Sequence, residues 1–85
     1  MTKFVYATKN KLSGNFNEPK FYDFEKDGAV EQFTISALEN PSEILKELEV
    51  YFLGTFDTKT GIFVSEVEYL IDLGAVLNGR QEQES

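Results

Sequence analysis

One stretch of the 85-residue sequence, "EVYFLGTFDTKTGIFVSEV" (Glu49–Val67), limits the fold more than any other. It consists of two apolar runs on either side of the polar segment Asp57–Gly61. Aspartate begins turns by accepting bonds from backbone amides, and glycine supplies a positive-φ exit. A turn explains this segment better than a calcium or phosphate loop does, because a lysine stands where calcium needs carboxylates and a strand, not a helix, follows. The stretch therefore predicts a β-hairpin that pairs Glu49–Phe56 with Gly61–Val67.

The residues before this hairpin predict two further strands. Lys3–Asn10 is rich in β-branched and aromatic residues, which favours a strand with apolar side chains on both faces. Lys11–Pro19 contains serine, glycine, asparagine and proline at close spacing and predicts a loop. Lys20–Phe24 then predicts a short second strand.

Between these strands and the hairpin, the apolar period changes to that of a helix. From Ala29 onward one face is apolar, and Asp27 is the expected N-cap. Asn40-Pro41 ends the helix, because a residue before proline disfavours helical geometry. A shorter helical turn, capped by Ser42, is expected over Glu43–Leu48. The apolar positions of the main helix are Val30, Phe33, Ala37 and Leu38.

The C-terminal residues give a mixed pattern. Glu68–Leu77 alternates like a strand, yet its leucines also fit a helix, and we expect a strand or an extended arm. Residues 78–85 are polar, and we expect a disordered tail. The order of elements predicts one α+β domain over residues 1–77, with a small, mainly antiparallel sheet of four to five strands and one central helix packed on one face. An unpaired apolar edge or arm predicts a homodimer.

Residue types that most catalytic and metal sites need are missing. The chain has no cysteine and no histidine, which excludes disulfides, thiolate and histidine ligands, and the usual hydrolytic triads. Pairs of acids such as Glu66 and Glu68 are typical of a solvated strand face. We therefore expect no enzymatic activity, no catalytic residues, no metal and no cofactor. No apolar run approaches the roughly 20 residues of a membrane span, so no membrane association is expected.

The charge of the chain is distributed unevenly. Residues 1–20 carry four lysines and one acid, a net charge of +3. Residues 21–85 carry four basic residues and fourteen acids, a net charge of −10. A uniformly acidic protein would repel nucleic acid, whereas a basic N-terminal segment can still present a face to it.

The basic N-terminal segment also contains aromatic residues at short intervals. Binding of single-stranded nucleic acid needs this mixture, because cations follow the phosphate backbone and aromatic rings stack on bases. The alternative is that the rings belong to the core and the lysines are merely solvated. Of the aromatic residues, Phe16 and Tyr22 are the preferred stacking candidates. The candidate DNA-binding residues are Lys3, Lys9, Lys11, Phe16, Lys20 and Tyr22.

Three segments in order resemble the small non-structural protein of gokushoviruses, which are single-stranded-DNA phages of the Microviridae. "KFVYATKNKLSGNFNEPKFYDF" is similar to the opening strand, loop and strand of that family, and "GAVEQFTISALENP" to its helix. Glu31 stands where the family helix often carries arginine. "EVYFLGTFDTKTGIF" is similar to the family hairpin, and the matching residues are Tyr51, Leu53, Gly54, Phe56, Asp57, Thr60 and Gly61.

The resemblance implies a non-enzymatic accessory protein of phage genome replication, acting in the host cell cytoplasm. One hypothesis is that it binds single-stranded DNA during single-strand synthesis and packaging. The other is that it is an acidic protein–protein interaction module that binds the phage replication initiator, the procapsid or a host replication factor. The basic, aromatic N-terminal segment favours the first hypothesis, and the acidic remainder of the chain favours the second.

Overall fold

The computed structural model describes residues 1–84, and the side chains of residues 1–79. Four strands form one antiparallel sheet in the order β2-β1-β3-β4. The α+β prediction is confirmed, with a second helix added at the C-terminus. In chain order the elements are β1 (Thr2–Asn10), β2 (Lys20–Tyr22), α1 (Lys26–Glu39), a 3-10 turn (Leu45–Glu47), β3 (Leu48–Asp57), β4 (Phe63–Asp72) and α2 (Leu73–Glu84).

The predicted hairpin forms the β3–β4 half of the sheet. The carboxylate of Asp57 accepts bonds from the backbone amides of Lys59 at 2.8 Å and Thr60 at 3.3 Å. Gly61 follows with φ +77°, and its amide donates to the Asp57 carbonyl at 2.8 Å. These local bonds fix the turn, as the sequence indicates.

Both helices pack against one face of the sheet, which we call the helix face; the opposite one is the open face. Around α2 the core contains Ala37, Leu48, Val50, Leu73 and Leu77. Towards β2 it is aromatic: Tyr6 is 1% exposed and lies with Phe52 and Ala29, and the rings of Tyr22, Phe24 and Phe33 surround it. The Tyr6 hydroxyl donates to the Phe24 carbonyl at 2.7 Å, so its one polar atom is satisfied.

Glycine is required at one position where β3 lies against the backbone of β4. Gly54 has φ +149°, and a Cβ atom at this position would lie 2.1 Å from the carbonyl oxygen of Val64. The β1–β3 ladder shifts register beside it, between Val5 and Tyr6, and the β3–β4 ladder shifts between Phe52 and Gly54. The glycine therefore lets two irregular ladders meet on one strand.

Three of the predicted boundaries are wrong. Helix α1 begins at Lys26, so Glu25 occupies the N-cap position, without a side-chain bond, and Asp27 lies in the first turn. The strand β4 extends to Asp72, so only the first half of the arm predicted over Glu68–Leu77 is extended. The second half, together with residues 78–84 of the predicted tail, is helical in α2. Ser85 lies outside the described residues.

Asp72, at the junction of β4 and α2, explains why the chain continues as a helix there and not as an extended arm. The Asp72 carboxylate accepts bonds from the backbone amides of Gly74 at 2.8 Å and Ala75 at 3.3 Å, as a helix N-cap does. Leu73 and Leu77, one turn apart, are then buried against the core. The leucine spacing is therefore helical, and the capping aspartate is the local signal that marks where the helix starts.

Candidate nucleic-acid interface

The open face of the sheet carries an array of aromatic side chains. Strand register places alternate residues on this face, and the loop before β2 adds one more ring. Most of these rings are partly or largely exposed. A sheet face normally buries such rings against a second layer, which is absent here among the described residues. The aromatic residues of the open face are Phe16, Phe21, Tyr51, Phe56, Phe63 and Tyr69.

Three of these rings form a row across the sheet. The ring centres of Phe16 and Tyr51 are 5.2 Å apart, and those of Tyr51 and Tyr69 are 5.6 Å apart. Phe16 is 44% exposed and Tyr69 is 50% exposed. The Lys9 ammonium group lies 5.4 Å from the Phe16 ring centre and 5.5 Å from the Tyr51 ring centre. A cation thus lies over two rings of a row whose two outer members are exposed.

The loop between β1 and β2 places Phe16 in this row. It folds back along β1: the Asn10 amide donates to the Asn15 carbonyl at 2.9 Å, and the Asn17 amide donates to the Thr8 carbonyl at 2.8 Å. The Asn17 side chain also donates to the Thr8 hydroxyl at 2.7 Å. Phe16 therefore pairs with Lys9 as an isolated bridge, and its ring is held over the sheet.

The other predicted lysines of β1 and the loop are engaged by acids. Lys3 lies on the open face and pairs with the exposed carboxylate of Asp23. Lys11 lies at the end of the sheet, 2.9 Å and 3.1 Å from the two carboxylate oxygens of Asp72. Hydrogen bonding to Asp72 raises the pKa of the Lys11 ammonium group, against the opposing effect of burial. Lys9 makes no ion pair in the described part of the chain, which leaves its charge available to a ligand.

Lys20 and Tyr22 do not join this arrangement. In the β1–β2 register they lie opposite Tyr6 and Phe4, which places them on the helix face. The Tyr22 ring is 4.7 Å from the ring of Phe24 and packs in the aromatic core. Tyr22 is therefore half-buried against the aromatic core, on the opposite face from the aromatic row. Of the predicted residues, the structure brings together Lys3, Lys9 and Phe16 on one face.

Many of the acids lie on the other side of the sheet. Glu66 lines a cavity of about 310 Å³ on the helix face with Glu25 and Asp27 of the α1 start. Glu68 pairs with Lys26 of α1 at 3.3 Å. These four acids are thereby kept away from the aromatic row, whereas Asp72 and Glu49 lie near its Tyr69 end: burial first, and then these two charges, raise the pKa of Tyr69. On the open face, Glu49 lies opposite Lys9 in the register.

The Asp72 carboxylate connects Lys11, in the loop after β1, to the start of α2. Its contribution to the stability of the fold can be measured. Burial alone would raise the pKa of its carboxyl, but bonds from Lys11 and from the Ala75 and Gly74 amides outweigh burial and lower the pKa. Asp72→Asn keeps the capping oxygen but loses the ion pair, and we expect it to cost about 0.5–1 kcal/mol. Asp72→Ala loses both and is expected to cost about 1–2 kcal/mol. Urea denaturation followed by circular dichroism measures both.

The pH dependence of this contact follows from the lowered pKa of Asp72. Its stabilising effect is complete above the unfolded-state pKa, near 3.8, and is lost as the pH falls through the lower folded-state pKa. The stability difference between the native chain and Asp72→Asn should therefore disappear in acid. A difference that stayed constant down to pH 2 would contradict the role of the ion pair.

The sequence does not predict that β3 and β4 contribute rings to the aromatic row. Tyr51 lies in a run that is apolar at nearly every position, so alternation there does not reveal which face is exposed. Tyr69 lies in a stretch whose pattern is mixed. The one available signal is the tyrosine hydroxyl itself, because tyrosine favours surfaces with one wet side over fully apolar interiors.

No described helix is long and apolar enough to cross a membrane. Comparison of the chain with protein-family models, with curated proteins and with solved structures finds no match. The gokushovirus resemblance is therefore one of ordered sequence motifs alone.

Proposed function

We propose that this protein binds single-stranded DNA across the open face of its sheet. The observation that carries this proposal is the row Phe16–Tyr51–Tyr69 with the Lys9 ammonium group beside two of its rings. Exposed rings on a sheet stack on successive unpaired bases, while a cation contacts the phosphates between them. Paired bases in a duplex do not offer their faces to such a row, so single strands are the expected ligand.

The charge distribution supports weak, adaptable binding. Lys9 lies over two rings of the row, Lys11 near Tyr69 is held by Asp72, and Lys3, further along β1 on the same face, must exchange Asp23 for a phosphate. With about two phosphates neutralised, the logarithm of the binding constant should fall with a slope of roughly −1.4 against the logarithm of the salt concentration. Such binding fits an accessory protein of phage genome replication in the host cell cytoplasm, the role that the sequence resemblance implies.

Fluorescence anisotropy with a labelled oligonucleotide of about 12 nucleotides tests the proposal. We expect single-stranded DNA to bind more tightly than the matching duplex. Phe16→Ala removes one stacking ring and should weaken binding about tenfold, since stacking contributes about 1–3 kcal/mol per base. Ile35→Ala is the matched control, because Ile35 is similarly exposed, at 41%, but lies on α1. Equal effects of these two variants would contradict the assignment of the open face.

The charge contribution is tested by Lys9→Glu, with Lys46→Glu as a control of equal charge change. Lys46 lies in the 3-10 turn and pairs with Glu43 at 3.2 Å, away from the aromatic row. Lys9→Glu should weaken binding at low salt more than tenfold and reduce the salt slope, whereas Lys46→Glu should change both only slightly. Lys11 is left unchanged, because reversing its charge beside Asp72 would weaken the fold as well.

A second candidate function uses the acidic helix face. The cavity is lined by the acids Glu25, Asp27 and Glu66 against one cation, Lys26, and would accept a basic segment of a protein partner, such as the phage replication initiator, the procapsid or a host replication factor. The fluorescence anisotropy titration with single-stranded DNA, together with recovery of a protein partner, distinguishes the two functions. If single-stranded DNA does not bind at low salt, and a partner is recovered whose binding is lost in Glu66→Lys but not in Phe16→Ala, the interaction module is favoured.

A further inference from the structure

We propose that two copies of this chain pair edge to edge along β4, forming one antiparallel sheet of eight strands about a two-fold axis. The ten-residue β4 is the last strand of the sheet and has one unpaired edge. The other edge is the three-residue β2, which is too short to offer a comparable ladder. Unpaired backbone groups along a strand favour pairing with another strand.

Apolar side chains are concentrated along this edge. Of the eleven large hydrophobic residues exposed in the described part of the chain, five lie between residues 62 and 69. Phe63, Val67 and Tyr69 lie on the open face, but Val64 lies on the helix face in register with Thr55. A ligand that covers only the open face leaves Val64 in water. A strand placed alongside β4 covers apolar side chains on both faces, so the occupant that fits this edge is a strand.

The charges of β4 select a second copy and a register. Between Phe63 and Ile71 the only charged residues are Glu66 and Glu68, and Glu68 is already paired with Lys26. A two-fold axis at Val67 would set Glu66 against Glu68 of the second copy, which is unfavourable because like charges directly opposite repel. An axis at Ser65 sets Phe63 against Val67 of the second copy and Glu66 against Val64. The Ser65 register therefore pairs β4 with itself without opposing two acids, and it centres the contact on the apolar residues Phe63, Val64 and Val67.

The pairing is centred on the segment Phe63–Val67. The β3–β4 ladder is regular from Phe63 to Ser65 and shifts register beyond it, between Phe52 and Gly54 on the facing strand. Irregularities of this kind twist an edge and limit how far a new strand can follow it. A short contact of this kind, closed by the two-fold axis, makes a defined dimer rather than an open fibre.

The dimer also has a consequence for the proposed function. A two-fold axis perpendicular to the sheet leaves both open faces on the same side, so the two aromatic rows would form one longer surface. This consequence rests on the proposed DNA binding, whereas the dimer itself does not. The test is therefore performed without DNA, so that a failure of the dimer and a failure of DNA binding are separate results.

Cysteine cross-linking tests the register, because the chain has no cysteine of its own. In the proposed dimer the two copies of residue 65 face each other at about 4.5–5.5 Å between Cα atoms, within the range of a disulfide. Ser65→Cys should form a covalent dimer under mild oxidation. Val67→Cys, whose two copies would be about 13 Å apart, should not. Cross-linking of Val67→Cys with none of Ser65→Cys would overturn the register, and equal efficiency would indicate a face-to-face contact instead.

Light scattering on the unmodified chain tests the dimer itself. We expect twice the chain mass of 9.7 kDa. Ser65→Lys places two cations on the axis and should give the single-chain mass with an unchanged circular dichroism spectrum. Added salt should maintain or strengthen the dimer, because each copy carries a net charge of −7, whereas DNA binding should weaken. A single-chain mass for the unmodified protein at 0.1 mM and both low and high salt would overturn the proposal.

Discussion

Replacing Tyr6 with alanine is expected to lower the free energy of unfolding by about 3–5 kcal/mol, the range measured for large buried aromatic side chains. A domain of this size has only about 4–13 kcal/mol in total. Tyr6 is 1% exposed, and four aromatic rings lie within 6.2 Å of its ring centre. Its removal leaves a cavity that both α1 and β2 line. Urea denaturation followed by circular dichroism measures the loss, and Tyr69→Ala, on the exposed face, is the control.

Tyr6→Phe separates the hydroxyl from the ring. This variant keeps the packing but leaves the Phe24 carbonyl without its donor, and we expect a cost of about 1–2 kcal/mol. Burial and the nearby Glu25 raise the pKa of Tyr6 to about 12. The unfolded chain ionises near pH 10, so the stability of the native protein should fall between pH 10 and 12. The stability of Tyr6→Phe should not decrease in this way between pH 10 and 12. A pH profile identical to that of the native protein would contradict the role given to the hydroxyl.

Gly54→Ala is expected to be the most damaging change that adds only one methyl group. The new Cβ would lie 2.1 Å from the Val64 carbonyl oxygen, which belongs to the backbone of the adjoining strand and has little freedom to move. The φ of +149° adds strain for any residue with a side chain. We expect a loss of about 3 kcal/mol or more, or failure to fold, because the β3–β4 ladder must separate at this point.

Gly61→Ala is the matched control for this prediction. Gly61 also has a positive φ, of +77°, but nothing lies within 4 Å of the position that a Cβ would take. Its substitution should therefore cost only the strain of the left-handed conformation, about 1–2 kcal/mol. Comparable costs for the two glycines would show that conformational strain, rather than the contact with Val64, makes Gly54 necessary.

The sequence predicts correctly those elements that are specified by residues close together in the chain. The turn after Asp57 and the helix end at Asn40-Pro41 each depend on residues that are neighbours in the chain, and both are confirmed. The start of α2 also has a local signal, in Asp72, but the alternating pattern around it hides that signal. Predicted boundaries are wrong where a strand period and a helix period overlap, because either period alone accounts for the apolar residues.

The candidate interface is predicted only in part, for a physical reason. Lys9 and Phe16 lie close together in sequence, and their proximity follows from a loop that folds back on its own strand. Tyr51 and Tyr69 join them through strand register, which the sequence does not specify. The partner that neutralises Lys11 is 61 residues away in the chain. Tyr22 lies among basic residues in the sequence but is turned into the core by the β1–β2 pairing.

The division of the tyrosines between the two faces gives the protein its own optical probes. The chain has no tryptophan and four tyrosines, so tyrosine accounts for its intrinsic emission. Two of them, Tyr6 and Tyr22, lie in the aromatic core. The other two, Tyr51 and Tyr69, lie on the open face. Near-ultraviolet dichroism will report mainly the pair packed in the core and thus the integrity of the fold, while quenching of emission by added ligands will report mainly the open-face pair, of which Tyr69 is 50% exposed. One unlabelled sample can therefore separate a variant that no longer binds from one that no longer folds.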